Sequence, residues 1–245
     1  MTKNKQKQFS SSADFEYELS DLDAMSMATN YNNWILDKIG KYVGDNTIEC
    51  GAGSGSFAKS ILARYKTNFI ALEPSKSAFE KLKKDFSGLN NVTCLPNFLS
   101  QIANQITNKI DGVIYNNVLE HVENDQQEID LAYKSLKVGG YIITFSPALP
   151  ILYSNYDNTI GHFRRYTLKE MVIKIKKAGF NVVDSYYFDF LGTFLWFIKY
   201  KILKDSNLSS SSVSIYDKLL IPVLRKLEPS KLLPFGKNIV VIGKK

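Results

Sequence analysis

A chain of 245 residues with 44% hydrophobic content is long enough to bury one sizeable core and has the composition of an ordinary globular domain. Its net charge of +7 comes from lysines spread along the chain rather than gathered in a stripe, which reads as a solvated basic surface and argues against a nucleic-acid partner. The two cysteines, Cys50 and Cys94, lie inside short apolar runs, which fits reduced thiols in a cytoplasmic protein rather than a disulfide framework.

Residues 1–25 are polar, with no apolar run after their lysines, and are expected to form a flexible leader rather than a signal peptide. Residues 26–245 are expected to form a single domain. Apolar runs rich in β-branched residues at 46–50 ("NTIEC"), 68–72 ("NFIAL"), 91–95 ("NVTCL"), 111–115 ("DGVIY") and 140–146 ("GYIITFS") predict strands. Between them "FAKSILARY", "KSAFEKLKKDF" and "DQQEIDLAYKSLK" carry helical spacing. This alternation predicts a parallel sheet with helices on both faces. Thr167 with Glu170 three residues on predicts a capped helix over 168–178, followed by a strand at 181–187 and a last strand in "KNIVVIGKK". The most apolar stretch, "FLGTFLWFIKYKIL" at 190–203, is too short to span a bilayer and is broken by Lys199 and Lys201, though it can lie on one. It opens an insertion, 190–235, in which the serine run at 206–214 reads as a flexible hinge.

"IECGAGSGSF" places Gly51, Gly53 and Gly55 directly between a strand and a helix, the context of a cofactor loop, although a tight turn also uses glycine for steric reasons alone. A dinucleotide fingerprint would need its third glycine at position 56, which is Ser56. Glu49, two residues before the first glycine, disfavours a pyrophosphate and favours a ligand carrying positive charge.

These residues resemble the first motif of the class I S-adenosylmethionine-dependent methyltransferases, acidic-x-Gly-x-Gly-x-Gly, at Glu49, Gly51, Gly53 and Gly55 with Cys50 and Ala52 between them. The resemblance implies S-adenosylmethionine as cofactor and S-adenosylhomocysteine as product. It assigns Glu73 in "IALEPS", followed by Pro74 and Ser75, to the ribose hydroxyls, for which a carboxylate is a good double acceptor. Asn97, where the family often has an aspartate, and Phe98 fall beside the adenine. "YNNVLEHVEND" resembles the family's "N-x-L-E-H" signature, which puts Asn116, Asn117, Val118 and Leu119 along the cofactor. Glu120 and His121 then act as acid and base or anchor the turn. "NYNNWILDKI" at 30–39 resembles the leading helix, whose aromatics, here Tyr31 and Trp34, often close over the cofactor. The implied fold is a Rossmann-like, doubly wound, seven-stranded and mostly parallel sheet in the order 3-2-1-4-5-7-6, with the seventh strand antiparallel. That order separates Cys50 and Cys94 by one strand, or about 9.5 Å, beyond disulfide reach.

One stretch stands out in composition. "YSNYDNTIGHFRRY" at 153–166 holds one of the two histidines, His162, and two of the four arginines, Arg164 and Arg165. It lies in an insertion, about 149–167, after the fifth predicted strand, at the carboxyl edge where ligands bind in open α/β sheets. The arginines suit a two-pronged grip on a carboxylate or phosphate, and His162 suits a base oriented by Asp157 or a tyrosine. Tyr153, Tyr156 and Tyr166 would complete an acceptor wall. Alternatively, an Asp157–arginine pair with packed tyrosines stiffens the loop. The stretch resembles a "GH-x-RRY" motif in a branch of bacterial methyltransferases whose tail also carries "PFG", here Pro234 to Gly236.

No metal is expected, because two histidines and two cysteines on separate strands do not compose a zinc site and nothing points to magnesium. The expected activity is methyl transfer to a small-molecule acceptor, acidic or lipid-linked, on oxygen. Residues 190–235 would either cap the site or touch the inner membrane peripherally. Two alternatives stand beside it: a nucleotide-cofactor (NAD-type) oxidoreductase, opposed by Ser56 and Glu49, and a non-catalytic S-adenosylmethionine-binding or membrane-associated partner protein. The oligomeric state has no signature in the sequence.

Overall fold

The computed structural model describes residues 28–205, 210–228 and 233–245, so the expected leader lies outside the described residues. Seven strands are present: β1 (Asn46–Cys50), β2 (Asn68–Leu72), β3 (Val92–Leu95), β4 (Ile110–Asn116), β5 (Leu136–Pro147), β6 (Asn181–Phe188) and β7 (Asn238–Lys244). They form one sheet in the order β3-β2-β1-β4-β5-β7-β6, parallel except that β7 runs antiparallel to both β5 and β6. This is the expected topology. Cys50 and Cys94 are both free thiols, with β2 between their strands.

The helices are α1 (Thr29–Ile39), α2 (Ser56–Leu62), α3 (Lys76–Asp85), α4 (Leu99–Ile102), α5 (Asp125–Ser135), α6 (Asn155–Thr159), α7 (Leu168–Lys177), α8 (Phe190–Trp196), α9 (Ser210–Ile215) and α10 (Ile221–Leu227). Successive strand residues point to opposite faces, and both faces of this sheet are covered, so the central strands read as continuous apolar runs. One face packs Ile114, Ile143 and Val240 against Trp34, Leu36, Ile61 and Leu82 of α1 to α3. The other packs Ile48, Val113 and Val241 against Ile129 of α5 and Met171 and Ile175 of α7.

Two elements differ from the sequence pattern. The helical spacing predicts α5 running to Lys137, whereas Leu136 already pairs with Ile110 in β5. The next pair is Gly112 with Tyr141, so the residues between form a bulge, turned at Gly139 with φ of 88°. Leu136 fits the helical stripe and the strand equally well, and the bulge is invisible to periodicity. The serine run is not a hinge throughout, since Ser210 to Ile215 are helical. Residues 206–209 lie outside the described residues.

The carboxyl end of β6 carries a node that no periodicity reveals. Asp189, fully buried with φ of 63°, accepts from the hydroxyls of Tyr31 (3.0 Å) and Tyr216 (2.6 Å) and from the Gly192 amide (2.9 Å). It also pairs with Lys237 Nζ at 2.8 Å. One carboxylate thus joins α1, the insertion and the start of β7. Asp189→Asn keeps the volume and tolerates the left-handed backbone, but it leaves Lys237 without its charge partner. Urea titration is expected to show a loss of about 3 kcal/mol with an unchanged m-value.

Candidate active site

The turn after β1 is held by contacts that exclude side chains. Gly51 has φ of +66°, and a Cβ there would meet Val118 Cγ2 at 2.7 Å, so the β1 turn lies directly against the turn after β4. Gly55 has φ of +81° and faces the Phe86 ring beyond α3, so one of the three glycines answers to packing. The Gly53 amide donates to Glu73 Oε2 at 2.7 Å and the Ser75 amide to Glu73 Oε1 at 2.8 Å, which fixes the carboxylate plane at the end of β2 beside buried Pro74. Burial, and then the Glu73 charge, pushes the Glu49 carboxyl well above its ordinary value. Burial likewise raises the Cys50 thiol, while Ala52 is buried and ties the turn to β2 through Leu72. Asn97 donates to Gln101, and half-buried Phe98 stands at the amino-terminal cap of α4.

β4 ends at Asn116, and Asn117 after it has φ of 54° and its amide on Phe145 O at 2.8 Å. After half-buried Val118, a 3-10 turn over Leu119–His121 places Glu120 at 0% exposure. Neither Glu120 carboxyl oxygen has a hydrogen-bond partner among the described residues. Burial pushes this carboxyl up to about 7, with the His162 charge pulling the other way. His162 Nε2 faces Glu120 Oε1 at 3.9 Å, and the His121 and His162 rings meet edge-on with centroids 4.6 Å apart. Burial and then His162 push His121 down to about 3.

The loop that brings His162 here is built around Asp157. The Ser154 amide and hydroxyl both donate to Asp157 Oδ2 at 2.9 Å, capping α6. Asp157 Oδ1 lies 2.8 Å from His162 Nδ1 and accepts from Arg165 Nε at 2.8 Å. Burial alone would raise the Asp157 carboxyl, but the hydrogen bond to His162 and the Arg165 charge hold it at about 2. An ionised acceptor on Nδ1 assigns a proton to that nitrogen and turns Nε2 toward Glu120.

The two arginines find their partners inside the protein. Arg165 is buried and stacks its guanidinium 4.4 Å over Trp196. Arg164 donates to Val122 O (3.0 Å) and Glu123 O (2.8 Å) and pairs with Asp125 at 3.0 Å, with about a quarter of its side chain exposed (26%). Tyr166 donates to Leu119 O and Asp125, Tyr153 donates to His162 O, and Tyr156 stacks on Tyr200 with centroids 4.7 Å apart.

The fold thus gathers Glu120, His121, Asp157, His162 and Arg165 into one cluster, and joins it to the β1 turn through Val118 and Gly51. Tyr31 stands apart: it is buried among Trp34, Phe145 and Phe188, with its hydroxyl on Asp189. Asp125, Trp196 and Tyr200 were not signalled by any motif. Ser154 was detectable, since Ser-x-x-Asp is a capping spacing. The two histidines, 41 residues apart in the chain, also weaken the sequence argument against a metal. One Glu120 oxygen and one nitrogen from each of His121 and His162 lie within 4.8 Å of one another, a donor set able to hold a divalent cation.

Residues 48–142 match the family model of the methyltransferase domain. The fold is similar to a S-adenosylmethionine-dependent methyltransferase from Archaeoglobus fulgidus, at 15% identity over 91% of this chain and 98% of that one, with a TM-score of 0.60. It is also similar to the 1,6-didemethyltoxoflavin-N1-methyltransferase of Burkholderia thailandensis, solved with 1,6-didemethyltoxoflavin and S-adenosylhomocysteine bound (14% identity, 91% and 80% covered, TM-score 0.57). A third similar fold is the cyclopropane synthase MmaA2 of Mycobacterium tuberculosis (18% identity, 87% and 81% covered, TM-score 0.54). No curated protein shows a significant sequence match. The domain match covers residues 48–142, and the fold of the whole chain is similar to that of these S-adenosylmethionine-dependent methyltransferases.

Gly51→Ala tests the contact between the two turns. The left-handed backbone and the Val118 contact together are expected to cost about 2 kcal/mol or more in thermal or urea unfolding. Adding Val118→Ala should restore the part due to the clash and leave the backbone part; full additivity of the two losses would show that the turns do not touch.

Proposed function

We propose that the protein transfers a methyl group from S-adenosylmethionine to an oxygen of a small acceptor, acidic or lipid-linked, and that His162 takes the acceptor's proton. The observation that carries this reading is His162, held at Nδ1 by Asp157 with Nε2 facing unpartnered Glu120, two residues from the Val118 that packs on the glycine turn. S-adenosylmethionine supplies an activated methyl on a sulfonium leaving group, so the protein's task is alignment, exclusion of water and removal of one proton.

In this reading Glu73 holds the ribose, with Pro74 and Ser75 shaping its edge. Asn97 and Phe98 border the adenine, and Gly51 to Gly55 with Asn116 to Leu119 line the methionine portion. Asp157 keeps the proton on Nδ1 and stabilises the imidazolium that forms when Nε2 accepts a second one. The exposed edge of Arg164 is the acceptor-side cation, whereas Arg165 positions Asp157. Tyr153 and Tyr156 frame the loop on the side of the insertion. The protein would work in the cytoplasm and meet a lipid-linked acceptor at the inner membrane face.

Calorimetry is expected to show binding of S-adenosylhomocysteine and none of NAD; the reverse would favour the oxidoreductase reading. With labelled cofactor and a metabolite or lipid extract, His162→Ala is expected to lower methyl transfer about 100-fold or more while leaving S-adenosylhomocysteine affinity within about three-fold. Equal labelling by this variant and the parent would remove His162 from catalysis.

The donor set of Glu120, His121 and His162 supports a second reading, in which a cation rather than the free imidazole activates the acceptor. Chelation separates the two. Activity unchanged by EDTA is expected for an imidazole base, whereas loss on chelation with recovery on zinc addition would assign the cluster to a metal.

A further inference from the structure

The insertion between β6 and β7 presents apolar surface on two sides. Inward, Trp196 and Tyr200 pack on Tyr156 and Arg165, and Ile221 enters the core with Tyr216 and Leu224 against it. This packing already anchors both helical segments to the domain. Outward, the first segment carries a second stripe at helical spacing, Leu191, Phe194, Leu195, Ile198 and Ile202, each 39–59% exposed. The second segment repeats the arrangement with Ile215, Leu219, Val223 and Leu227, 52–72% exposed. Exposed lysines border both stripes: Lys201 and Lys204 by the first, Lys218 and Lys226 by the second. No helix among the described residues is long and apolar enough to cross a membrane, so a bilayer could meet these stripes only along its surface.

We propose that the two outward stripes with their bordering lysines are the surface by which the protein lies on an anionic bilayer, next to the 153–166 loop. The charge pattern selects the occupant. Apolar side chains flanked by lysine, on a chain of net charge +7, match acyl chains beneath acidic headgroups. Lys201 ties the surface to the loop, donating from Nζ to Tyr153 O at 2.8 Å. A lipid-linked acceptor held in the bilayer would therefore be presented beside His162. This inference deepens the methyltransferase reading and rests on it for the acceptor, but bilayer binding itself needs no cofactor.

The test is cosedimentation of the full chain with phosphatidylcholine vesicles, with and without about 30% phosphatidylglycerol. Binding is expected to the anionic vesicles, to weaken with added salt, and to fall about ten-fold or more in Leu195→Asp/Ile198→Asp and in Lys218→Glu/Lys226→Glu. Circular dichroism and S-adenosylhomocysteine affinity, unchanged in both variants, show that they remain folded, and the lysine pair tests the surface even if the apolar pair does not fold. No binding to anionic vesicles, or equal binding by the folded variants, would overturn the proposal. So would a concentration-dependent dimer that these substitutions abolish without any vesicle binding, which would assign the stripes to a second copy. Loss of S-adenosylhomocysteine binding by the parent protein would strike the methyltransferase reading and leave the surface standing.

Discussion

Irregular chain over the edge of a buried sheet carries amides and charges that need partners, because an unpartnered polar group away from water costs more than a hydrogen bond gains. Here buried carboxylates meet that constraint. Glu73 takes the amides of Gly53 and Ser75, and Asp157 takes Ser154, His162 and Arg165. Asp125 gathers Arg164, Tyr166 and Lys174; Asp189 gathers Tyr31, Tyr216, Gly192 and Lys237. Asp217 receives the first amides of α1, from Asn30 and Tyr31. Each joins segments distant in the sequence, so the edge of the sheet is positioned by ionic and hydrogen-bonded nodes while its floor is positioned by apolar packing.

Against that background, and like Glu49 with its buried, unpartnered Oε2, Glu120 departs from the pattern. It is as buried as the others, sits on a short turn among fixed neighbours, and has no hydrogen-bond partner for either oxygen among the described residues. A buried carboxyl in this state is destabilising by itself. The surrounding structure holds it because Leu119 is in the core and the Phe163 amide is bound to Glu120 O, so the turn cannot rotate the side chain into solvent without breaking both. The unmet hydrogen-bonding capacity therefore faces Nε2 of His162.

What the sequence disclosed and what it withheld divide along the same line. The strands were legible because a doubly covered sheet demands apolar runs such as "NFIAL", whereas the order of strands was implied only by the family resemblance that the glycine turn and the "LEH" turn carry. The site was legible where a motif is local, as in Gly51 to Gly55 or Glu120 and His121. It was not legible where a role depends on closure of the fold. Asp189 and Asp217 look like surface carboxylates in their sequence neighbourhoods, and it is folding that brings α1 onto both of them. Leu136 fitted a helical stripe and became a strand residue, since the Gly139 bulge realigns it against Ile110. His121 and His162 looked unrelated until the 149–167 insertion folded back, with the Phe163 amide on Glu120 O as the point of return.

The unequal use of arginine and lysine has the same origin. The four arginines are Arg64, Arg164, Arg165 and Arg225, and every one is engaged inside the molecule. Arg64 and Arg225 converge on Asp37 of α1 from the turn after α2 and from α10, while Arg164 and Arg165 fasten the 153–166 loop to Asp125, Asp157 and three backbone carbonyls. A planar guanidinium with several fixed donors can bridge two or three acceptors at once, which a flexible ammonium does less well. Lysine serves where reach and hydration matter, on the outer surface and around the apolar stripes. The concentration of arginine in "GHFRRY" therefore reports on where the chain must be clamped: Arg165 and His162 share Asp157, which holds His162 with its Nε2 toward Glu120.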